Sequence, residues 1–230
     1  MASFKLNIAT INGCPPPEEV GRLMEAYGVP PSEEYGVISC QVSALAVYAT
    51  LARRTHITVG QLDAATKAPT AMPVEKVTLI PIGIRPHHKI LEVYAGGYNR
   101  VQDAAAFLSA CLALPIVVDP IETNIESMLE KLAQMYMDGE IKALQLKSVR
   151  CSDYSSNSYM IGPYTPKFLD SEHGKDFVHE HSEALTGATV RFAGSKKKVT
   201  VKLSSQASFG YSCDEDDQGQ IQKILRQLLH

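Results

Sequence analysis

The sequence predicts an α+β fold with two lobes, each a mostly antiparallel sheet with helices packed on one face. The first observation is residues 187–229, where three segments of alternating apolar and polar residues precede an amphipathic helix. The second is residues 76–113, where a hairpin pattern again precedes a helix. We therefore expect an N-terminal α+β lobe over 1–114 and a C-terminal lobe over 115–230 that ends in a β-meander and helix.

The N-terminal lobe begins with a predicted strand, because apolar and polar residues alternate over residues 4–8. Three consecutive prolines end this strand and start a helix that Gly28 terminates. Residues 36–55 favour extended structure at both ends, while the Ala- and Leu-rich middle, residues 43–53, fits either a helix or a strand. Residues 60–73 predict an irregular connection.

Two further elements complete the N-terminal lobe. Residues 76–95 predict a β-hairpin, because two apolar alternating segments flank a run of turn residues. Asn99 is a predicted N-cap for a helix whose apolar stripe runs from Val101 to Leu112.

The C-terminal lobe opens with a predicted helix. Asp119 suits the capping position and Pro120 the first helical position, and an apolar stripe follows. Residues 140–151 predict a strand, residues 152–168 a structured loop and residues 170–185 a helix. The three strands and the helix of residues 187–229 complete the lobe.

Composition limits the function classes. Of the 230 residues, 45% are apolar and 20% are charged, which is the balance of a globular protein. The net charge of −3 gives no overall attraction to nucleic acid or to an anionic membrane, so such binding needs a local patch. No apolar segment approaches the roughly 20 residues that span a bilayer, and the N-terminus lacks the pattern of a signal peptide.

The five cysteines are scattered and never in CxxC spacing, which argues against a disulfide framework and a structural zinc site. A cytoplasmic location without a cofactor is the simplest expectation. The sequence contains no G-x-S-x-G, P-loop or G-x-G-x-x-G motif, so it identifies no catalytic residue.

The strongest candidate site is a basic strand in the C-terminal lobe. If the apolar residues of 199–203 face the core, Lys198 and Lys202 point outward. Phe209 and Tyr211 either share this face as a stacking platform for single-stranded nucleic acid or face inward as core residues. Lys142, Lys147 and Arg150 extend the patch if their strand adjoins it. The predicted binding residues are Arg191, Lys196, Lys197, Lys198, Lys202, Phe209 and Tyr211.

Two acidic sets are weaker candidates for metal chemistry. On a helix over 170–185, one face presents carboxylates and an imidazole that together suit a divalent metal. The members of this set are Glu172, Asp176, His179 and Glu183. The second set combines Asp119 with Glu140 and Lys142, the residue types of a metal-dependent nuclease.

These patterns lead to three functional hypotheses. The leading one is a non-enzymatic binding or accessory protein that engages a protein partner or nucleic acid through its C-terminal sheet. The second is a metal-dependent hydrolase or nuclease that uses an acidic and histidine cluster. The third is a structural subunit of a homo-oligomer.

Overall fold

The computed structural model of the chain describes residues 2–29, 34–62, 69–96, 99–157, 160–167 and 171–229. Within these residues the protein is α+β, with a large antiparallel sheet and five α-helices, which confirms the α+β class predicted from the sequence. The helices are α1 (Pro17–Tyr27), α2 (Asn99–Leu112), α3 (Ile125–Met137), α4 (Ser171–Glu180) and α5 (Gln218–Gln227). The strands are β1 (Ala2–Asn12), β2 (Tyr35–Val42), β3 (Val47–Leu62), β4 (Pro69–Arg85), β5 (Ile90–Val93), β6 (Val117–Pro120), β7 (Lys142–Asn157), β8 (Met160–Tyr164), β9 (Leu185–Ala193), β10 (Lys198–Ser204) and β11 (Ser208–Cys213).

The chain divides into two compact units. Unit 1 consists of the described parts of Met1–Ala9, Gly96–Tyr98 and Pro120–His230. Unit 2 consists of the described parts of Thr10–Ala95 and Asn99–Asp119. Strand β1 therefore contributes its first residues to unit 1 and its last residues to unit 2.

In unit 1 the strand order is β1, β11, β10, β9, β7, β8. The neighbouring strands pair antiparallel, and the first strand of the chain pairs with the last, from Ala2 opposite Cys213 to Asn7 opposite Ser208. Strands β9 to β11 form the meander predicted from the sequence. Their alternating apolar residues are buried, as a half-covered sheet requires.

Helices cover one face of this sheet. Tyr211 of β11 accepts a hydrogen bond of 3.1 Å from Nε2 of Gln222 in α5, and Val190 of β9 lines a cavity between α3 and α4. Residues Ile221, Ile224 and Leu225 of α5 are buried, which confirms the amphipathic helix predicted for the end of this unit.

Unit 2 contains the order β2, β3, β4, β5 with α1 and α2. Residues 43–53 form the turn before β3 and then β3 itself, which removes the helical alternative. The cause is tertiary pairing, because β3 bonds to β2 on one side and β4 on the other, and this outweighs the helix propensity of Ala and Leu. The hairpin over 76–95 and the helix over 99–112 are confirmed.

Several predicted boundaries are wrong. Residues 60–62 and 69–73 belong to β3 and β4 rather than to a loop, and residues 63–68 lie outside the described residues. Of the loop predicted for 152–168, residues 152–157 belong to β7 and residues 160–164 to β8, while residues 158, 159 and 168 lie outside the described residues. Local composition misled both predictions, because cross-strand hydrogen bonds impose extended structure on residues that resemble a connection.

The helix predicted from Asp119 begins later. Asp119 and Pro120 end strand β6, and α3 starts at Ile125 with Asn124 as its cap. Oδ1 of Asn124 accepts a hydrogen bond of 3.1 Å from the backbone N–H of Ser127. Asn124, and not Asp119, therefore supplies the capping oxygen of α3.

Candidate functional site

The two faces of the unit 1 sheet carry different residues. Because side chains alternate along a strand, Val201 and Tyr211, which are register partners, point to the helix-covered face. Lys202 and Gly210 are also register partners and point to the other face. We call this second face the open face.

Four rows of register partners across β7, β9, β10, β11 and β1 define the open face. The first row contains Lys142, Ala193 and Lys198. The second row contains Gln145, Arg191, Thr200, Ser212 and Ser3. The third row contains Ser148, Thr189, Lys202, Gly210 and Lys5, and the fourth contains Arg150, Gly187 and Ser204. Six of these residues are cationic and none is acidic.

Six cations lie on the open face. None of them forms a salt bridge with a carboxylate in the part of the chain that the structure describes. Five are exposed, and Arg191 is half-buried with its Nε donating to Oγ1 of Thr200 at 3.4 Å. The six are Lys5, Lys142, Arg150, Arg191, Lys198 and Lys202. As far as the described residues show, the open face is a positively charged surface without paired carboxylates.

Two predicted binding residues lie elsewhere and are already paired. Lys196 and Lys197 lie in the turn between β9 and β10, where Lys196 Nζ is 2.7 Å from Asp216 and Lys197 Nζ is 3.8 Å from Asp214. The buried carboxylate of Asp217 accepts the backbone N–H of Ser195 at 3.1 Å and holds the turn. Lys196 and Lys197 therefore form ion pairs at the turn, and their positive charge is less available to a ligand than that of Lys198 and Lys202.

Phe209 and Tyr211 face the core, so the stacking platform on the lysine face does not form. Phe209 is 1% exposed and Tyr211 is 3% exposed. The ring of Tyr211 stacks on Phe4 with centroids 5.4 Å apart. Burial raises the pKa of the Tyr211 phenol above its ordinary value.

A shallow depression of about 460 Å³ lies on the open face. Gly210 and the flanking residues Ser208 and Ser212 line it, and Lys5 and Lys202 border it on the two neighbouring strands. Arg150 also lines it. The depression therefore lies within the cationic surface.

A second cavity, of about 600 Å³, lies on the covered side of the sheet between α3 and α4. Its lining is mostly apolar and includes Leu129, Leu146 and Val190. At its edge, Nδ1 of His179 lies 3.1 Å from Oε1 of Glu126. This contact joins α4 and α3, which border the cavity.

The acidic and histidine stripe does not form as predicted. Helix α4 ends at Glu180, so Glu183 lies in the following 3-10 turn and not on the same helical face as Asp176. His179 pairs with Glu126 of α3, and the side chain of Glu172 lies outside the described residues. No group of three or more His, Cys, Asp or Glu residues in the described chain could hold a metal ion.

The members of the second acidic set, Asp119 with Glu140 and Lys142, lie in separate parts of the fold. Asp119 lies in β6 of unit 2, where its carbonyl accepts a hydrogen bond of 3.2 Å from Oγ1 of Thr10. Glu140 precedes strand β7, and Lys142 belongs to the open face. Asp119 and Glu140 therefore belong to different units of the chain.

The cysteines show no sign of an activated nucleophile. All five have a raised pKa, chiefly through burial, and the pKa values of Cys14 and Cys111 rise to about 11. A catalytic thiolate requires the opposite shift.

The sequence alone did not identify Lys5 as a site residue. It added Lys142, Lys147 and Arg150 to the basic patch only if their strand adjoins it. The alternation around Lys5 predicted an outward side chain, but the pairing of β1 with β11 joins residues about 200 positions apart in sequence. Pairing of β7 with β9 places Lys142 and Arg150 on the open face, while Lys147 falls at a register shift.

Comparison with known proteins gives no family for this chain. The sequence matches no protein-family model, and the search of curated proteins found no similar sequence. Separately, none of the described helices is both long and apolar enough to cross a membrane.

Proposed function

We propose that this protein is a non-enzymatic binding protein that engages nucleic acid through the open face of unit 1. The observation that supports this proposal most strongly is the set of six cations with no acidic residue among the four rows. We also propose that the chain forms two lobes with a boundary between residues 114 and 115, and that the protein is cytoplasmic.

Unneutralised cations favour a polyanionic partner. Lys5 and Lys202 lie two strands apart, so their Cα atoms are separated by about 10 Å, from a strand spacing of about 4.8 Å. Two like charges at that distance repel by about 0.4 kcal/mol in water, and several such pairs occur on this face. A polyanion relieves this repulsion and releases its counterions on binding.

Nucleic acid fits this face better than a protein partner does. Protein interfaces usually depend on a few buried aromatic or large apolar anchors at their centre. The four rows contain only charged, hydroxyl, amide, Ala and Gly residues, and the aromatic side chains of β11 point to the core. The expected contacts are therefore with phosphates, and binding should depend little on base sequence.

Binding to labelled oligonucleotides tests this function. Fluorescence anisotropy with single strands and duplexes of roughly 20 nucleotides should show binding at about 50 mM salt. If four lysines or arginines contact phosphates, the slope of log K against log salt for a single strand is about −3. No binding to any of these ligands at low salt would overturn the proposal.

A matched pair of variants locates the interface. The double substitution Lys5→Gln and Lys202→Gln should weaken binding about 10-fold or more, because two phosphate contacts are lost, and should reduce the slope by about 1.4. The control is Lys175→Gln with Lys223→Gln, which removes the same charge from exposed positions on α4 and α5. Equal effects of the two variants would show that net charge, and not the open face, controls binding.

The homo-oligomer hypothesis has one supporting observation in unit 2. Among the described residues, β3 pairs with β4 alone from Thr55 onward, beyond its register with β2. On one side of it the partners Ile57 and Val74, and Val59 and Met72, are each 40–51% exposed. Two-stranded hairpins are marginally stable alone, so this surface suits a second copy of the chain.

Sedimentation over a wide concentration range tests this second function. We expect a mass that rises with concentration, and a lower mass for the Ile57→Thr, Val74→Thr variant. A monomer mass at every concentration would exclude it.

A further inference from the structure

A glycine lines the depression on the open face. Gly210 lies in β11 between the two strands that carry Lys5 and Lys202, and each lysine is its register partner on one side. Glycine in the interior of a strand weakens the strand, because it has no side chain to pack and loses more conformational entropy on folding. Its presence at this position therefore needs a reason.

The fold itself does not require glycine at position 210. Gly210 does not have a positive φ, and a Cβ atom built there would meet only Cβ of Lys202, at 3.8 Å. Gly187 and Gly194 differ, because a Cβ at Gly187 would lie 2.8 Å from the carbonyl oxygen of Leu203 and one at Gly194 would lie 2.5 Å from Oδ2 of Asp217. The register of β11 with β1 and with β10 runs without a shift at Gly210, so no bulge explains this glycine. Close approach of a ligand is a further reason for glycine in a strand.

Cationic donors line the depression. Oγ of Ser208 donates to Oδ1 of Asn7 at 2.7 Å, and Oγ of Ser212 donates to the carbonyl oxygen of Ala2 at 3.3 Å. Each hydroxyl has a single proton, so these two serines are engaged within the protein. Hydroxyl groups of Ser3, Thr200 and Ser204 also line the depression, and Lys5, Lys202 and Arg150 supply its charged donors, which suit an anion.

We infer that the depression at Gly210 binds a phosphate group between the ammonium groups of Lys5 and Lys202, and we call this phosphate-binding site the seat. This inference rests on the proposed function, since it assigns the contact point of the nucleic-acid backbone on the open face. The missing side chain at Gly210 lets the phosphate lie low between two strands, where both lysines reach it. Arg150 supplies a further cationic contact at the border of the depression.

The Gly210→Val substitution tests the seat. Valine favours strands and a Cβ at this position has room, so the melting temperature should stay the same or rise. Affinity for a single-stranded oligonucleotide should fall about 10-fold, which corresponds to about 1.4 kcal/mol. Thr189→Ile is the matched control, because it adds apolar bulk to the row of Lys202 but does not line the depression.

The outcomes separate this inference from the proposed function. If the wild type binds nucleic acid and Gly210→Val binds equally well, the seat is wrong while the function stands. An equal loss of oligonucleotide affinity in Thr189→Ile would also overturn the seat, because a bulky side chain anywhere on the open face would then be enough to weaken binding.

A titration with pyrophosphate, followed by amide chemical shifts, tests the seat without nucleic acid. We expect the largest shifts at Gly210, Lys5 and Lys202, and their loss in the Lys5→Gln, Lys202→Gln variant. If pyrophosphate acts here but no nucleic acid binds, the seat stands for a free phosphate compound and the proposed function fails. If neither ligand shifts Gly210, the seat is excluded.

Discussion

The two faces of strands β10 and β11 share a backbone but differ in what their side chains do. On the covered face, Val201, Phe209 and Tyr211 are at most 3% exposed and pack beneath the helices. On the open face, Lys202 and Gly210 contribute little apolar burial. Stability should therefore depend on the first face and binding on the second, so substitutions on the two faces should have separable effects.

The largest effect should come from the covered face. Phe209→Ala removes a fully buried ring and leaves a cavity, which should lower the free energy of unfolding by about 3–5 kcal/mol. Urea denaturation measures it, and Lys202→Gln provides the open-face control with a change within about 0.5 kcal/mol. A loss below about 1 kcal/mol for Phe209→Ala would show that this face is not a packed core.

Tyr211→Phe should have a smaller effect that depends on pH. It removes the hydrogen bond from Gln222, which is worth about 1 kcal/mol at neutral pH. Burial raises the pKa of Tyr211 in the folded state, so the neutral phenol is stabilised by folding below the unfolded pKa of about 10. This contribution is lost as the pH rises through the folded pKa.

Wild-type protein should therefore lose more stability than the Tyr211→Phe variant as the pH rises above about 10. Thermal unfolding as a function of pH measures this difference. Tyr136→Phe, at a ring that is 47% exposed, is the control for loss of a hydroxyl. Parallel curves for wild type and Tyr211→Phe would contradict the burial of this phenol.

The smallest effect distinguishes free lysines from paired lysines. Lys198→Gln should weaken oligonucleotide binding about 3-fold at low salt, as expected for one lost phosphate contact. Lys196→Gln should change the affinity less, because Lys196 already pairs with Asp216 at 2.7 Å. Anisotropy titrations measure both, and a larger effect for Lys196 would contradict the assignment of this turn lysine to a structural role.

The local alternation of apolar and polar residues predicted the strands β9 to β11 of unit 1, but it did not predict which strands pair. It indicated that Lys198 and Lys202 point outward if Val199, Val201 and Leu203 face the core, and these three residues are buried, because one covered face imposes a period of two. It left the facing of Phe209 and Tyr211 open, because that depends on the register with β10. Nor could local patterns show the pairing of β1 with β11 that brings Lys5 to the site.

The errors in the helices and loops have a similar cause. Asp119 and Pro120 carry a good helix-start signal, yet they end strand β6, which pairs with β1. The acidic stripe assumed a helix through Glu183, whereas α4 ends three residues earlier, at Glu180. Such boundaries depend on distant partners, and a single sequence does not specify those partners.

Acetylation of surface lysines with and without a single-stranded oligonucleotide, read by mass spectrometry, is the sharpest test of whether the open face binds nucleic acid. We expect the oligonucleotide to protect Lys5, Lys142, Lys198 and Lys202. We also expect unchanged labelling of Lys175 and Lys223, which are exposed on α4 and α5. Equal labelling of the open-face lysines with and without the oligonucleotide, or protection confined to Lys175 and Lys223, would show that nucleic acid does not bind to the open face.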